Sequence, residues 1–429
     1  MMKEAVSFRI NEIAKLSPYE LPDELTGSNG LVYSSPATLA YNSPGAEGFG
    51  VKRAGLAVPE SVMLIVSPGC CGRNTSIVTR NPEYKGRFFY LMMDETDLVT
   101  GRHLKVIPDA VSEIVEFLPK KPKVVMICIT CVDALLGTDM KRVCKRCEER
   151  LEGVRVAPCY MYALTREGRR PPMVDVRQQI YSLLEKSVRK GNEINLLGYF
   201  APLQEGSDLI ELLKYAGFAS IRQISTCKTY EEFLDMSRAN LNLVLNSEAH
   251  AAAEDMYEDL GIPYAELTRV YGIDTVRAQY KALSQVFGVN LDDSRFYEEA
   301  KTVIESFMAE FKGASVNIGE CINANPYELA LSLTRYGLNV REIYATVAPE
   351  HMVYIKKLAE LSPDTKLYCN LDPSMINYSR SEDKPLFTLG KDAAHYCPDA
   401  PNIPWNSDVQ PYGYKGIVNL LNKIREEIR

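Results

Sequence analysis

The sequence predicts an α/β protein built from three Rossmann-like domains with mostly parallel sheets. From about residue 60 onward, short apolar runs of β-rich composition alternate with segments of helical periodicity. This alternation is typical of parallel sheets covered by helices. The chain also has 429 residues, which is too long for one ordinary hydrophobic core. We therefore expect several domains that repeat one βα theme.

Six apolar runs are expected to be strands. They are SVMLIVS, KVVMICIT, INLLGYF, LNLVLN, ASVNIGE and VREIYATV, which begin at residues 61, 123, 194, 241, 314 and 340. Each of the last four precedes a segment whose apolar residues have helical spacing. The best delimited segment is NPYELALSLTRYG, in which Asn325 suits the N-cap, Pro326 suits the first helical position and Gly337 suits a left-handed end.

Two breaks in the pattern divide the chain into the predicted domains. They lie near residues 186–193 and 308–315. The first domain, 1–190, would combine an N-terminal arm with an α/β domain, because the first 60 residues are rich in Gly, Pro and Ser. The second would span 191–312 and the third 313–429, with a C-terminal helix that packs back on it.

Composition and charge exclude some functional classes. The net charge is -7, which provides no electrostatic basis for binding nucleic acid. No apolar run approaches the ~18 residues that a membrane-spanning helix requires, and the N-terminus lacks the apolar region of a secretory signal. We therefore expect a cytoplasmic protein without a membrane partner. Eleven cysteines in such a chain favour reduced thiols and metal ligation over a disulfide framework.

Two cysteine pairs provide the strongest functional signal. Cys70 and Cys71 lie in SPGCCGRNTS, and Cys128 and Cys131 lie in VVMICITCVDALLGTD. Both pairs occur where an apolar run gives way to a turn, so their soft sulfur ligands could hold a metal or cluster at strand ends. Adjacent cysteines cannot easily face one point, so only one of the first pair is the expected ligand. Cys131, at the strand end, is a better candidate than Cys128, and buried structural thiols remain the other interpretation.

The cysteine spacing also allows a zinc site. Cys128, Cys131, Cys144 and Cys147 form two CxxC pairs separated by twelve residues, which is close to a zinc-ribbon spacing. The context opposes it, since zinc knuckles need tight turns, whereas the first pair lies in a β-rich run and the second on a charged helix. A zinc-stabilised α/β binding protein stays an alternative.

The two cysteine segments resemble the nitrogenase component 1 family. This family includes the catalytic nitrogenase chains, cofactor-assembly scaffolds and the cluster-bearing subunits of dark-operative tetrapyrrole reductases. SPGCCG and ITCVDALLGTD look like the family's Gly-Cys-Gly turn and its Cys followed by a Gly-Asp-Asp segment. LNLVLNSEAHAAAEDMYEDLGIPY and QPYGYKGIVNLL are also similar to family segments, and the resemblance runs from about residue 40 to the C-terminus. It implies a nitrogenase component 1-like fold.

The resemblance also implies a cluster and its ligands. By this alignment Cys71 and Cys131 are metal ligands, because they fall on two cysteines that hold the family's iron-sulfur cluster at a subunit interface. A third family cysteine would align near Gly45, where this chain has none. A 4Fe-4S cluster shared across a dimer, with Cys70 or Cys128 as an extra ligand, therefore fits better than an eight-iron cluster.

Two further positions depart from the catalytic nitrogenase chains. Asn246 stands where the α chain has the cysteine that anchors its catalytic cofactor, and no histidine near Trp405 matches the residue that caps that cofactor. These differences argue against dinitrogen reduction by an iron-molybdenum cofactor. The resemblance implies that the substrate of this chain would lie among the strand ends near Gly198, Asn246, Glu320 and Asn370. No single catalytic residue is assigned.

The implied function is that of an oxidoreductase subunit, which forms a homodimer or pairs with a similar chain. It would accept low-potential electrons from an ATP-dependent iron-sulfur reductase and deliver them to a substrate between its domains. The sequence contains no GxxxxGK motif followed by Ser or Thr, so ATP hydrolysis would belong to the partner. A scaffold for assembly of a metallocluster or tetrapyrrole cofactor is the alternative within the family.

Overall fold

A computed structural model describes most of the chain. The described residues are 4–27, 31, 33, 37, 50–69, 79, 82–130, 137–161, 170–188, 191–380 and 384–428. Within them, fourteen strands form three sheets, and helices connect the successive strands. The predicted α/β class with mostly parallel sheets is confirmed.

The strands are named in chain order. They are β1 (Phe8–Arg9), β2 (Ser61–Ser67), β3 (Phe88–Met92), β4 (Val124–Thr130), β5 (Arg155–Met161), β6 (Glu193–Leu197), β7 (Ser220–Arg222), β8 (Leu241–Val244), β9 (Tyr264–Glu266), β10 (Ser315–Gly319), β11 (Asn339–Tyr344), β12 (Lys366–Tyr368), β13 (Phe387–Leu389) and β14 (Asn402–Ile403).

The α-helices of the described residues are named in the same way. They are α1 (Ile10–Ile13), α2 (Asp23–Thr26), α3 (Val51–Gly55), α4 (Glu95–Val99), α5 (His103–Phe117), α6 (Met140–Glu148), α7 (Pro172–Tyr181), α8 (Asp208–Tyr215), α9 (Tyr230–Leu234), α10 (His250–Leu260), α11 (Ile273–Phe287), α12 (Ser294–Phe311), α13 (Pro326–Arg335), α14 (Met352–Leu361), α15 (Lys391–Tyr396) and α16 (Gly413–Ile428).

The chain forms two compact units. The first unit comprises residues 49–202 and 217–268, and the second comprises 1–48, 203–216 and 269–429. The first unit contains two of the sheets, and the second contains the third sheet. The division into three domains at residues 190 and 312 stays a prediction.

The first sheet has the order β3-β2-β4-β5, and all its strands are parallel. Every residue of β2 and β4 is buried, as expected for central strands covered on both faces. Ile127 and Ile129 pack with α5 and α6 on one face. Met126 and Cys128 face a second core, which also contains residues of the second sheet. The first unit therefore has one core that joins its two sheets.

The second and third sheets repeat this design. The second has the order β7-β6-β8-β9 with parallel strands. The third has the order β1-β12-β11-β10-β13-β14, in which only β1 is antiparallel to its neighbour. Because β1 pairs with β12 and Ile10, Ile13 and Leu25 are buried, the described N-terminal residues 4–27 belong to the edge of the third sheet.

The order of strands reverses once in each sheet. In the first sheet β2 lies between β3 and β4. The chain therefore adds β3 on one side of β2 and later adds β4 on its other side. The same reversal occurs between β6 and β8 in the second sheet, and between β10 and β13 in the third. In open parallel sheets such a switch point leaves a crevice at the carboxyl ends of the two strands, where ligands bind.

The elements that sequence reasoning defined are found close to their expected positions. All six apolar runs contain strands, and α13 begins after Asn325, whose Oδ1 accepts hydrogen bonds from the amides of Tyr327 and Glu328 at 3.1 and 3.2 Å. Strand β5 was not among the six expected strands, and it contains Pro158, a residue that is rare within strands. Pro158 is tolerated there because β5 is an edge strand. The position of its missing N–H can lie on the side of β5 that has no neighbouring strand. Among the described residues, no helix has the length and apolar character needed to cross a membrane.

The cap of α13 offers a test of the local structure. The substitution Asn325→Ala removes the acceptor of two helix amides and should lower the free energy of unfolding by about 1 kcal/mol. Asn290→Ala is the matched control, because Asn290 is exposed and should change stability by less than about 0.5 kcal/mol. Urea unfolding followed by circular dichroism measures both. Equal effects of the two substitutions would contradict the capping role.

Candidate functional site at the strand ends

The predicted cluster ligands follow the two strands at the switch point of the first sheet. The chain leaves β2 after Ser67 toward Cys70 and Cys71, and it leaves β4 after Thr130 toward Cys131. β2 and β4 are direct neighbours, with Val66 opposite Ile129. Cys70, Cys71 and Cys131 themselves lie outside the described residues. What the structure establishes is that the segments leading to them start side by side at one edge.

Two polar groups mark this edge. The hydroxyl of Tyr90, on β3, donates a hydrogen bond of 2.5 Å to the carbonyl of Pro68, in the residues that lead to the first cysteine segment. The hydroxyl of Thr130 is buried and has no hydrogen-bond partner in the part of the chain that the structure describes. Buried polar atoms are nearly always paired, so this hydroxyl is available to donate to a group bound at the strand end. In the same described residues, no three His, Cys, Asp or Glu side chains are grouped to hold a metal ion.

Cys128 is the one predicted ligand that the structure describes. Its side chain lies in the core shared by the first two sheets, with its sulfur 3.7 Å from the sulfur of Met161. This position favours the alternative interpretation of a packed structural thiol. Cys144 and Cys147, on α6, pack against the opposite face of the sheet. The zinc-ribbon set therefore does not form, because the sheet separates Cys128 from the second CxxC pair.

The thiols of the second CxxC pair also lack the character of ligands. Burial raises the pKa of the Cys147 thiol to about 11, and burial raises that of Cys144 further. Metal ligation requires the thiolate, which a buried apolar site disfavours unless the metal itself is bound. The two residues instead fill the space between α6 and the first sheet.

The switch point of the second sheet brings Gly198 and Asn246 together. They follow β6 and β8, and a Cβ atom added at Gly198 would lie 2.7 Å from the backbone nitrogen of Asn246. Gly198 also has φ +124°, which residues with side chains rarely adopt. The side chain of Asn246 caps the following turn, with Oδ1 accepting from the amide of Glu248 at 3.0 Å. Close approach of two loops explains the glycine here.

A buried arginine supports this second switch point. Arg177, on α7, donates to the carbonyl of Gly198 from Nε and Nη2 at 3.0 and 2.6 Å. Its Nη1 forms an ion pair with Glu248 at 2.9 Å, and the guanidinium lies 4.7 Å from the ring centroid of Phe200. Desolvation lowers the pKa of Arg177, but these contacts compensate the buried charge. Arg177 therefore holds the turn that carries Gly198.

The switch point of the third sheet contains the densest polar network. Asn370 follows β12, and its Nδ2 lies 2.9 Å from Oε1 of Glu320 and 2.8 Å from Oδ2 of Asp392. Glu320 follows β10, and its other oxygen accepts from the amide of Thr346 at 3.0 Å. Asp392 begins α15 beyond β13 and accepts from the amides of Glu320 and Cys321 at 2.7 and 3.1 Å. Four strand ends thus contribute to one network.

Two glycines make room for the buried Asp392 carboxylate. A Cβ atom added at Gly319 would overlap this carboxylate. Gly390 has φ +103°, and a Cβ atom there would lie 3.3 Å from the Cα of Gly319. The close approach of β10 and β13 therefore requires small residues on both strands.

The two carboxyl groups of this network are hard to charge together. Burial is the main cause that raises the pKa of Glu320 to about 7, and the nearby charge of Asp392 adds to it. Burial also raises the pKa of Asp392, while its three hydrogen-bond donors favour the charged form. Glu320 is the partly exposed member of the pair, and Asp392 is fully buried.

Sequence reasoning found part of these sites. Gly198 does contact Asn246, and Glu320 does hydrogen-bond Asn370, each pair within its own unit. Arg177 and Asp392 were missed. The turn LGKDAAHY between a strand and a helix is a signal that could have found Asp392, whereas nothing in the local sequence distinguishes Arg177 from a surface arginine of α7.

Comparison with known proteins identifies the family. The model of the nitrogenase component 1 type oxidoreductase family matches residues 47–429. The chain belongs to this family. Its members bind iron-sulfur clusters and are oxidoreductases or scaffolds for cofactor biosynthesis. The resemblance inferred from the cysteine segments is thereby confirmed.

The most similar relatives include proteins of cofactor biosynthesis. The nitrogenase iron-molybdenum cofactor biosynthesis protein NifE of a Nostoc species is 26% identical over 239 residues, covering 54% of this chain and 49% of that protein. NifE of Clostridium pasteurianum is 27% identical over 198 residues, with 45% of this chain and 42% of that protein covered. This nitrogenase-like chain thus spans about half the length of these relatives. NifE of Sinorhizobium fredii is 24% identical over 417 residues, which is 91% of this chain and 82% of that protein.

Solved structures share the fold of this nitrogenase-like chain. The structure entitled "Nitrogenase Cp1 at pH 6.5" has a TM-score of 0.69 and 17% identity, and the match covers 88% of this chain and 90% of that chain. A second structure of the same protein at pH 5 has a TM-score of 0.65 and 15% identity, with 93% and 88% covered. At this identity the likeness establishes the fold.

The raised pKa of Glu320 predicts a pH-dependent stability. The folded chain binds a proton on Glu320 up to about pH 7, whereas the unfolded chain releases it near pH 4.5, so the stability of the wild type falls as the pH rises between these values. Glu320→Gln cannot lose a proton. Its free energy of unfolding should rise relative to the wild type by on the order of 2 kcal/mol from about pH 5 to about pH 8, after allowing for partial exposure.

Urea unfolding across this pH range measures the difference. Glu305→Gln is the matched control, because Glu305 is an exposed glutamate of α12 in the same unit. The control should follow the wild type at every pH. A difference between Glu320→Gln and wild type that stays constant with pH would exclude the raised pKa.

Proposed function

We propose that this chain is a nitrogenase-like iron-sulfur redox subunit. It accepts low-potential electrons from a separate ATP-dependent reductase and delivers them to a substrate at the strand ends. The observation that carries the proposal is the position of β2 and β4, which end side by side at the switch point of the first sheet and lead to Cys71 and Cys131. Family membership supports the same chemistry.

The residues present fit an iron-sulfur cluster. Neighbouring strands lie about 5 Å apart, and each residue beyond a strand end adds at most about 3.6 Å of reach, so both sulfurs can meet at one cluster. The unpartnered hydroxyl of Thr130 directly precedes Cys131 and can donate a hydrogen bond to a ligand sulfur. When bound, the cluster supplies one-electron storage and transfer at low potential. The 4Fe-4S type is part of the proposal.

The proposed site of one chain offers at most three cysteines, whereas a four-iron cluster is held by four. Cys71 and Cys131 are the proposed ligands, and Cys70 is the candidate for a third. Because Cys128 is packed in the core, we do not include it in the set. A second chain would complete the ligands, so we propose a homodimer or a heterodimer with a similar chain. A cytoplasmic location agrees with this oxygen-sensitive chemistry.

The reductase partner follows from the chemistry of electron delivery. Family members work with an ATP-dependent reductase. This sequence contains no phosphate-binding loop motif of the Walker type. We therefore propose that a partner hydrolyses ATP and passes single electrons to this chain.

The ligand assignment predicts the outcome of three substitutions. In protein purified without oxygen, Cys71→Ala and Cys131→Ala should each lose most of the bound iron and the EPR signal of the reduced cluster, since neither sulfur can be replaced from the core. Cys227→Ala is the matched control, because Cys227 is a partly buried cysteine of the same unit whose thiol donates to the carbonyl of Gln223. This control should keep full iron content.

Iron, sulfide and zinc analysis decides between the metals. Retention of the cluster signal in both ligand variants would refute the assignment of Cys71 and Cys131. Zinc in place of iron would support the zinc-stabilised alternative and refute the redox proposal.

A scaffold for cofactor assembly is the second candidate function. The relatives named NifE favour it, because their name describes biosynthesis of the nitrogenase iron-molybdenum cofactor. Both functions use the same cysteines, so metal analysis cannot separate them. A scaffold would transfer bound metallocluster or tetrapyrrole to an acceptor protein without net oxidation. A redox subunit would instead show substrate-dependent oxidation of its reduced cluster.

A further inference from the structure

Two carboxyl groups share one side-chain amide in the network at the third switch point. Nδ2 of Asn370 has two hydrogens but lies within hydrogen-bond distance of three oxygens, those of Glu320, Asp392 and the carbonyl of Tyr344 at 3.0 Å. The amide cannot bond all three oxygens at once, and with both carboxyl groups charged two negative charges lie close together in a buried site. One bound proton removes the repulsion.

The network also contains an unsatisfied atom. Oδ1 of Asn370 is buried and has no hydrogen-bond partner within the described residues. Asn370 itself is fully buried, so water from bulk solvent does not reach it freely. An unpaired acceptor of this kind beside two carboxyl groups indicates that a further donor belongs to the occupied site.

The geometry decides which carboxyl group holds the proton. Asp392 accepts from two backbone amides as well as from Asn370, and such donors stabilise a charged carboxylate. Glu320 accepts only from Thr346 and Asn370 in the described structure, and it is partly exposed. A proton on Glu320 can therefore exchange, whereas one on Asp392 would be enclosed.

No described cation offsets the charge of Glu320. The titratable groups that interact with it are Asp392 on α15, Cys321 in the turn after β10, Cys369 after β12 and Tyr327 on α13. Burial raises the pKa of all three neutral groups, so they remain protonated, and that of Cys369 is about 11. Lys391 acts on Cys321 from the start of α15. Among the described residues, Asp392 is the charged group whose effect on the pKa of Glu320 is resolved.

We propose that Glu320 is the proton donor of the site at the third switch point. Asp392 is the neighbouring charged group that favours a proton on Glu320. When a ligand atom at the strand ends gains an electron, the O–H bond of Glu320 breaks and a new bond forms between that proton and the ligand atom. The carboxylate left on Glu320 regains a proton from water. The source of the electron rests on the proposed function, whereas the proton on Glu320 does not.

Infrared difference spectroscopy of the full chain, with the proton itself as the probe, tests the proposal. The wild type should show a protonated carboxyl band that disappears with a midpoint near pH 7 and shifts in D2O, because the proton exchanges. Glu320→Gln should lack this band at every pH. Glu305→Gln, in an exposed glutamate of the same unit, should retain it.

A second variant tests the part assigned to Asp392. Asp392→Asn removes the neighbouring negative charge, so the midpoint of the Glu320 band should fall by about one pH unit or more. If Asp392→Asn does not fold, Glu320→Gln alone still tests the proposal. This variant should fold, because the amide of Gln has nearly the shape of the protonated acid.

Two results would overturn the proposal. One is a band with a midpoint near pH 7 whose amplitude is the same in Glu320→Gln as in the wild type; burial also raises the pKa of Asp208 and Glu328, so bands from those groups would persist in both. The other is a wild type in which every carboxyl group titrates below about pH 5. The measurement needs no cluster, reductase or substrate. A chain that lacks iron but shows the Glu320 band would refute the redox function while leaving the proton donor intact, so the two failures are distinguishable.

Discussion

The carboxyl ends of parallel strands all lie at one edge of their sheet. Each sheet of this chain also has one switch point, at which the order of its strands reverses. Every candidate site follows from this constraint. At the switch points, β2 and β4 lead to the cysteine segments, β6 and β8 lead to Gly198 and Asn246, and β10 and β13 lead to Glu320 and Asp392. The connections on either side run away from each other there, which opens the space that a ligand needs.

Buried polar groups in these crevices need hydrogen-bond or ionic partners, and the three sheets differ in the partners that they provide. In the second sheet, the charge of Arg177 is buried against a carbonyl, a carboxylate and an aromatic ring. In the third, two carboxyl groups share the side-chain amide of Asn370, and a proton bound by one of them reduces their repulsion. In the first, the hydroxyl of Thr130 is buried and has no partner among the described residues. These features connect local electrostatics with the proposed redox chemistry.

Much of the fold could be predicted because the signals are local. Buried parallel strands are continuous apolar runs of sequence. A helix can be recognised from the residues at its two ends, as Asn325 and Gly337 delimit the helix between them. The sheet orders could not be predicted in this way, since they depend on pairing between distant segments. The contact of Glu320 with Asp392, and the face of the sheet that Cys128 occupies, both follow from that pairing. Periodicity showed that Cys128 is buried, but it could not show that α6 lies on the other side.

The central claim is that the cysteine edge of one chain is half of a cluster site. Native mass spectrometry of oxygen-free protein tests it directly, because it weighs each assembly with its bound metal and sulfide. If the cluster is shared, iron and sulfide should accompany dimers, and monomers released from them should carry no intact cluster. Monomers that keep a complete cluster, or dimers without iron, would contradict it.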